Sequence, residues 1–193
     1  MNITDEQILN FISKVLFPLT LSAGGHFLKK KFDRAKDESD LLNEVGVIVS
    51  EVKDLLHETS VQRFLIFRSK IDEKPRKASC ILEDYRKPFR SVYYDYRDIE
   101  ADTDCSLLLA ALDQNEVKTV VTSKLPNDSV LKRIYEAEGV KYSCVFQLHK
   151  TKHYLYYASA ATNEDIKEYN KATKNKVELT RGKIRSILEK YAV

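Results

Sequence analysis

The spacing of apolar residues changes along this chain, and each change predicts an element. Ile8 to Leu28 is apolar at most positions, including Phe11, Ile12, Val15, Leu16 and Leu19. Thr4 followed by Asp5 and Glu6 reads as the start of a helix, with acidic residues in its first turn. The run is long enough for a bilayer span, and Lys29-Lys30-Lys31 after it would hold the bulk of the chain in the cytoplasm. Lys14, Pro18 and Gly24-Gly25 interrupt it, so an interfacial helix or a helix docked on a protein partner fits as well. The acidic start argues against a cleaved signal peptide.

Between 29 and 58 the apolar positions narrow to Leu41, Val45, Ile48, Val52 and Leu55, stepping by four and three. This is the seam of a short coiled coil, and its alternation of Val with Leu or Ile suits parallel pairing of two chains. The same stripe fits a helix lying on the core of its own domain. A weaker seam, half polar, runs through Ile166, Asn170, Thr173, Val177, Thr180, Ile184, Ile187 and Tyr191, in a helix that Thr162 and Asn163 start.

The middle of the chain reads mostly as strands. Val61–Phe67 is nearly continuous in apolar residues, as in a strand buried on both faces. Arg68–Lys77 is polar and reads as a loop. Ala78–Leu82 and Phe89–Tyr96 read as strands, the second through its alternation of Val92, Tyr94 and Tyr96. A helix carrying Leu107, Leu108, Ala111 and Leu112 starts at Asp102 or Thr103, and Val117–Thr122 is a short strand. Pro126 ends that strand, Asn127 or Asp128 caps a helix through Tyr135, and Gly139 closes it. Tyr142, Cys144, Phe146 and Leu148 alternate with polar residues, as on a half-buried strand, and His153–Ala160 returns beside it after a tight connection at Lys150–Lys152.

Composition narrows the function classes. Of 193 residues, 43% are hydrophobic and 32% charged, which fits one ordinary domain with appendages. The net charge of +3 gives no reason to expect a nucleic-acid partner. Cys80, Cys105 and Cys144 are odd in number and lack metal-ligand spacing, so they read as reduced thiols.

Little catalytic chemistry is visible. Arg63, Arg68, Arg86 and Arg90 lie near Tyr93, Tyr94 and Tyr96, and guanidinium groups beside aromatic faces are what a nucleotide or other small ligand would use. The alternative is a solvated edge with tyrosines at the core boundary. His149 and His153 flank a turn without a third ligand, so no metal site is expected. Cys105 near a helix start lacks an evident histidine partner. The acidic run Asp98, Glu100, Asp102 and Asp104 lacks the glycine of a calcium loop. No Walker loop, dinucleotide fingerprint, nucleophile elbow or zinc-protease motif occurs, so neither an enzyme nor a cofactor is expected.

The order of elements across Leu56–Thr162 resembles a GAF domain, most specifically in KLPNDSVLKRIYEAEGVKYSCVFQL (Lys124–Leu148), which is similar to small bacterial and phage-encoded GAF-like proteins. The resemblance implies an α+β fold: an antiparallel sheet with helices on one face and long N- and C-terminal helices. It divides the chain into a hydrophobic segment (1–28), a coiled-coil-like helix (29–58), a GAF-like domain (59–162) and a C-terminal helix (163–193). It further implies a small-molecule site and dimerisation through terminal helices. The expected protein is a dimeric, non-catalytic regulatory or scaffold module, docked or membrane-tethered through 8–28. A structural component of a larger, phage-encoded assembly and a protein that sequesters a cyclic nucleotide are the alternatives.

Overall fold

In the computed structural model, residues 30–101 and 103–191 are described, with side chains from Asn43 to Lys190. The apolar segment with Ile8, Phe11, Ile12, Val15, Leu16 and Leu19, the side chain of Leu41 and the cap expected at Asp102 lie outside these residues. In chain order the elements are α1 (Lys30–Glu58), β1 (Arg63–Lys70), β2 (Lys77–Tyr85), β3 (Ile99–Glu100), α2 (Thr103–Asp113), β4 (Val117–Val121), α3 (Val130–Glu138), β5 (Tyr142–Lys150), β6 (Tyr154–Thr162) and α4 (Lys171–Tyr191). Every strand pairs antiparallel with its neighbours in one six-stranded sheet of order β3-β2-β1-β6-β5-β4.

The two long helices bundle on one face. Val45, Ile48, Val52 and Leu55 of α1 and Val177, Ile184, Ile187 and Leu188 of α4 join one buried cluster with Phe64, Ile66, Phe146, Tyr156 and Ala158 of the sheet. From Val45 to Leu55 the stripe is therefore filled from within the chain, the second of the two arrangements that its spacing allows. The reason is geometric: the stripe of α1 that could face a second copy faces its own sheet and α4. Charge reinforces the pairing, because Glu44, Glu51 and Glu58 meet Lys190, Lys183 and Lys176 in antiparallel register. Thr173 and Thr180, which made the α4 seam look weak, are buried within it.

The opposite face is covered by α2, α3 and the segment between β2 and β3. Leu65, Phe67, Cys80, Val145, Leu155 and Tyr157 of the sheet meet Leu109 and Leu112 of α2, Leu131 and Tyr135 of α3, and Phe89, Val92 and Tyr93 of that segment. Strands β1, β5 and β6 thus lie between two apolar layers. This explains why β5 is buried on both sides over most of its length, where alternation predicted one solvated face.

Several boundaries depart from the sequence pattern. β1 continues to Lys70 and β2 spans Lys77–Tyr85, so the polar stretch 68–77 is a loop only in its middle. Phe89–Tyr96 is not a strand: the Val92 and Tyr93 amides bond to the Glu83 side chain, and the Phe89, Asp95 and Tyr96 amides bond to local carbonyls in turns. The cap of α3 is Ser129, whose Oγ accepts from the Lys132 amide, one residue beyond the expected Asn127 or Asp128. Gly139 closes that helix in the left-handed region at φ 72°, where a glycine costs nothing. Thr162 ends β6, and α4 starts later, with Asn170 Oδ1 accepting from the Thr173 amide at 2.8 Å.

Candidate ligand cavity

Arg63, Leu65 and Phe67 alternate along β1, and strand parity aims all three at the α2/α3 face. Across the ladders, Leu65 sits opposite Ser159 of β6 and Glu83 of β2, and Phe67 opposite Tyr157. Helices α2 and α3 close over this patch and leave a cavity of about 70 Å³. Leu65, Phe67, Leu109, Leu131, Val145 and Tyr157 make its walls mainly apolar, and Arg63, Tyr96, Tyr135, Ser159 and Glu100 supply its polar groups.

Arg63 dominates the electrostatics. It is only 1% exposed. Its Nη2 donates to Glu138 Oε2 at 2.5 Å, and both side chains of the pair are nearly removed from water. The guanidinium also lies 4.7 Å from the centre of the Phe89 ring. Among the described residues, its Nε and Nη1 have no hydrogen-bond partner. A ring face does not replace in-plane acceptors, so these donors are incompletely satisfied in a buried place.

Around Arg63 the tyrosines are held neutral. Burial, and next the Glu138 charge, push the Tyr96 hydroxyl well above its ordinary pKa. Burial does the same to Tyr135, whose hydroxyl is 3.0 Å from Ser143 Oγ, and to Tyr157, whose ring stacks on Phe67. The thiol of Cys80 is likewise pushed up by burial. Cys105, on the first turn of α2, also lines the cavity.

A second buried carboxylate shapes the cover. Glu83 is fully buried on β2, and its oxygens accept from Ser91 Oγ (2.7 Å), the Val92 amide (3.0 Å) and the Tyr93 amide (3.0 Å). These bonds anchor the middle of Phe89–Tyr96 over the sheet, and the turn bonds of the Asp95 and Tyr96 amides to the Val92 carbonyl fold the rest away from a strand. Burial raises the pKa of Glu83, and the donated hydrogen bonds oppose the rise.

The ligand residues expected from sequence divide. Arg63 and Tyr96 line the cavity. Arg68 packs over Tyr154 at 4.8 Å, at the surface beyond the cavity. Arg90 and Tyr94 are exposed, Tyr94 with Arg97 across its ring at 4.5 Å, and Tyr93 is a buried core residue. Arg86 donates to the Thr59 carbonyl at 2.6 Å. These side chains do not converge, because the segment carrying most of them turns instead of running straight.

Sequence reasoning passed over Glu138, Glu83, Tyr135 and Ser159. Arg63 carried a readable signal, since in a strand buried on both faces an arginine in phase with Leu65 and Phe67 must point inward. His149 stacks against Tyr156, whereas His153 Nδ1 lies 2.8 Å from Asp72 Oδ2. Among the described residues no group of His, Cys, Asp or Glu is arranged to hold a metal, and no helix is long and apolar enough to cross a membrane. Of the acidic run, Asp98 accepts from Ser79 Oγ at 2.8 Å in a turn.

No protein-family model matches the chain, and no curated protein matches it. Solved structures do match. GAF3 from Slr1393 of Synechocystis sp. PCC6803, in its photoproduct state, is similar with a TM-score of 0.59 at 8% identity, covering 76% of this chain and 94% of that one. The GAF domain of a two-component sensor histidine kinase from Bacillus halodurans gives 0.54 at 13% identity, over 75% and 93%. The phycocyanobilin-bound GAF domain of a cyanobacterial phytochrome gives 0.52 at 12% identity, over 93% and 94%. At these identities the likeness concerns architecture alone: an antiparallel sheet with packed helices, a GAF-like α+β fold.

Proposed function

We propose that this chain is a non-catalytic regulatory module of GAF-like type whose cavity between the sheet and α2/α3 takes a small molecule. The observation that carries this reading is Arg63, a buried cation lining that cavity with Nε and Nη1 unpartnered. Similar solved structures include a domain described as phycocyanobilin-bound, which supports a ligand-binding use of the fold. A cavity of about 70 Å³ is far below the roughly 300 Å³ at which drug-sized ligand sites begin, so the ligand is small, neither a tetrapyrrole nor a cyclic nucleotide. Native mass spectrometry of the intact chain, with and without Arg63→Lys, tests it. A bound small-molecule mass lost in the variant is the expected result, and a ligand-free chain under all conditions would sink the reading.

The small cavity also favours a second reading, in which the fold serves assembly and docks through 8–28. In that case the chain carries no ligand, and removing 1–38 changes its oligomeric state or its membrane association. Extraction only by detergent would favour a lipid tether, and release by salt a protein partner.

A further inference from the structure

Among the described residues Arg63 is the one cation lining the cavity, and the Glu138 carboxylate already sits on it. We propose that the cavity takes a small monocarboxylate, which replaces Glu138 on the Arg63 guanidinium and thereby unties the C-terminal end of α3 from β1. This rests on the reading of the cavity as a ligand site and names the ligand class and its consequence.

The donors argue for an anion. Phe89 covers a face of the guanidinium, while Nε and Nη1 lie in its plane and have no acceptor. A carboxylate has the planar pair of oxygens that an arginine fork accommodates best. The walls argue for a short tail, because Leu65, Leu109, Leu131 and Tyr157 surround a cavity of only about 70 Å³.

Charge argues for exchange over addition. Arg63 is flanked by Glu138, and the Glu83 carboxylate is close enough to feel the Arg63 charge. A further anion beside both would be repelled, whereas replacing one carboxylate by another conserves the local charge. Glu83 is fixed by donors from Ser91, Val92 and Tyr93. Glu138 is the last residue of α3, followed by Gly139 in the left-handed region, so its side chain can turn to water when α3 loosens. Tyr96 lines the same cavity, its hydroxyl held neutral by burial and the nearby Glu138 charge, and is then placed to donate to the incoming carboxylate. Glu100 also lines the cavity, but its side chain is 64% exposed and 4.0 Å from Lys77, so its charge is largely screened.

The test titrates the full chain with acetate, propionate, butyrate and the neutral propionamide, followed by amide shifts at Tyr135 and Val145. Propionate is expected to bind at least about tenfold tighter than propionamide, and Arg63→Lys to lower propionate affinity by a similar factor. Glu138→Gln removes the competing charge and is expected to raise affinity, about tenfold. Weaker binding in Glu138→Gln would overturn the exchange, and this variant carries the test should Arg63→Lys fail to fold. Propionamide binding as tightly as propionate would overturn the carboxylate class and leave the ligand site standing. If none of the four enters, the ligand class proposed here is wrong, and a different small-molecule mass in the native spectra would still uphold the site itself.

Discussion

The two faces of the sheet are built on different principles. On the α1/α4 face, Val45, Ile48, Val52, Leu55, Val177, Ile184 and Ile187 form an apolar seam, and the ion pairs lie outside it along the helix edges. On the α2/α3 face, ionisable groups are inside: Arg63 and Glu83 are nearly or wholly buried, and Glu138 is buried through its side chain. The first face is a stabilising scaffold. The second gives up apolar packing for a charged cluster and a cavity, and it is the face on which the proposed ligand site lies.

The sharpest way to break this contrast is to remove one charge from the buried pair. Arg63→Met leaves Glu138 without its cation and is expected to cost about 3–5 kcal/mol in urea unfolding. Arg63→Met with Glu138→Leu should recover most of that loss, since an apolar pair no longer strands a charge. A double variant as unstable as the single would mean that Arg63 acts through its packing on Phe89. On the other face, Leu55→Ala is expected to cost about 2–5 kcal/mol, with no second substitution to restore it, and to leave propionate binding by the folded fraction unchanged.

Acidity separates the faces more gently. The native pKa of Glu83 is raised by burial, so the folded state binds its proton more tightly than the unfolded chain does. Its contribution therefore weakens folding as pH rises from the ordinary carboxylate value through the raised one. Comparing unfolding of the wild type and Glu83→Gln across that window should show the wild type losing ground as pH increases. A difference independent of pH would mean that Glu83 titrates alike folded and unfolded. The smallest effect belongs to the helix-edge ladder. Lys183→Ala is expected to cost less than about 1 kcal/mol, and less still at high salt.

The fold was legible where periodicity was strong and local. Val61–Phe67 announced a strand buried on both faces, Tyr142–Leu148 and the return through Ala160 announced a hairpin, and Gly139 marked the end of α3. The seams of α1 and α4 were also readable as stripes. What the stripe on α1 would meet was not, because a coiled-coil partner and the protein's own sheet demand the same spacing. Phe89–Tyr96 misled for a related reason: alternating tyrosines look like a strand, but Glu83 on a neighbouring element takes the Val92 and Tyr93 amides, and local turns take those of Phe89, Asp95 and Tyr96.

The sequence by itself determined most of the helices and strands, the stripes of the two long helices and the lack of any familiar catalytic motif, since these depend on residues a few positions apart. Tertiary structure alone decided the rest. It turned the α1 seam inward onto α4, scattered Arg68, Arg90 and Tyr94 over the surface, and brought Glu138 to Arg63 across 75 intervening steps of chain. Contacts between residues so far apart leave no local pattern. They are fixed by the order in which the strands pair and by which helix closes over which face.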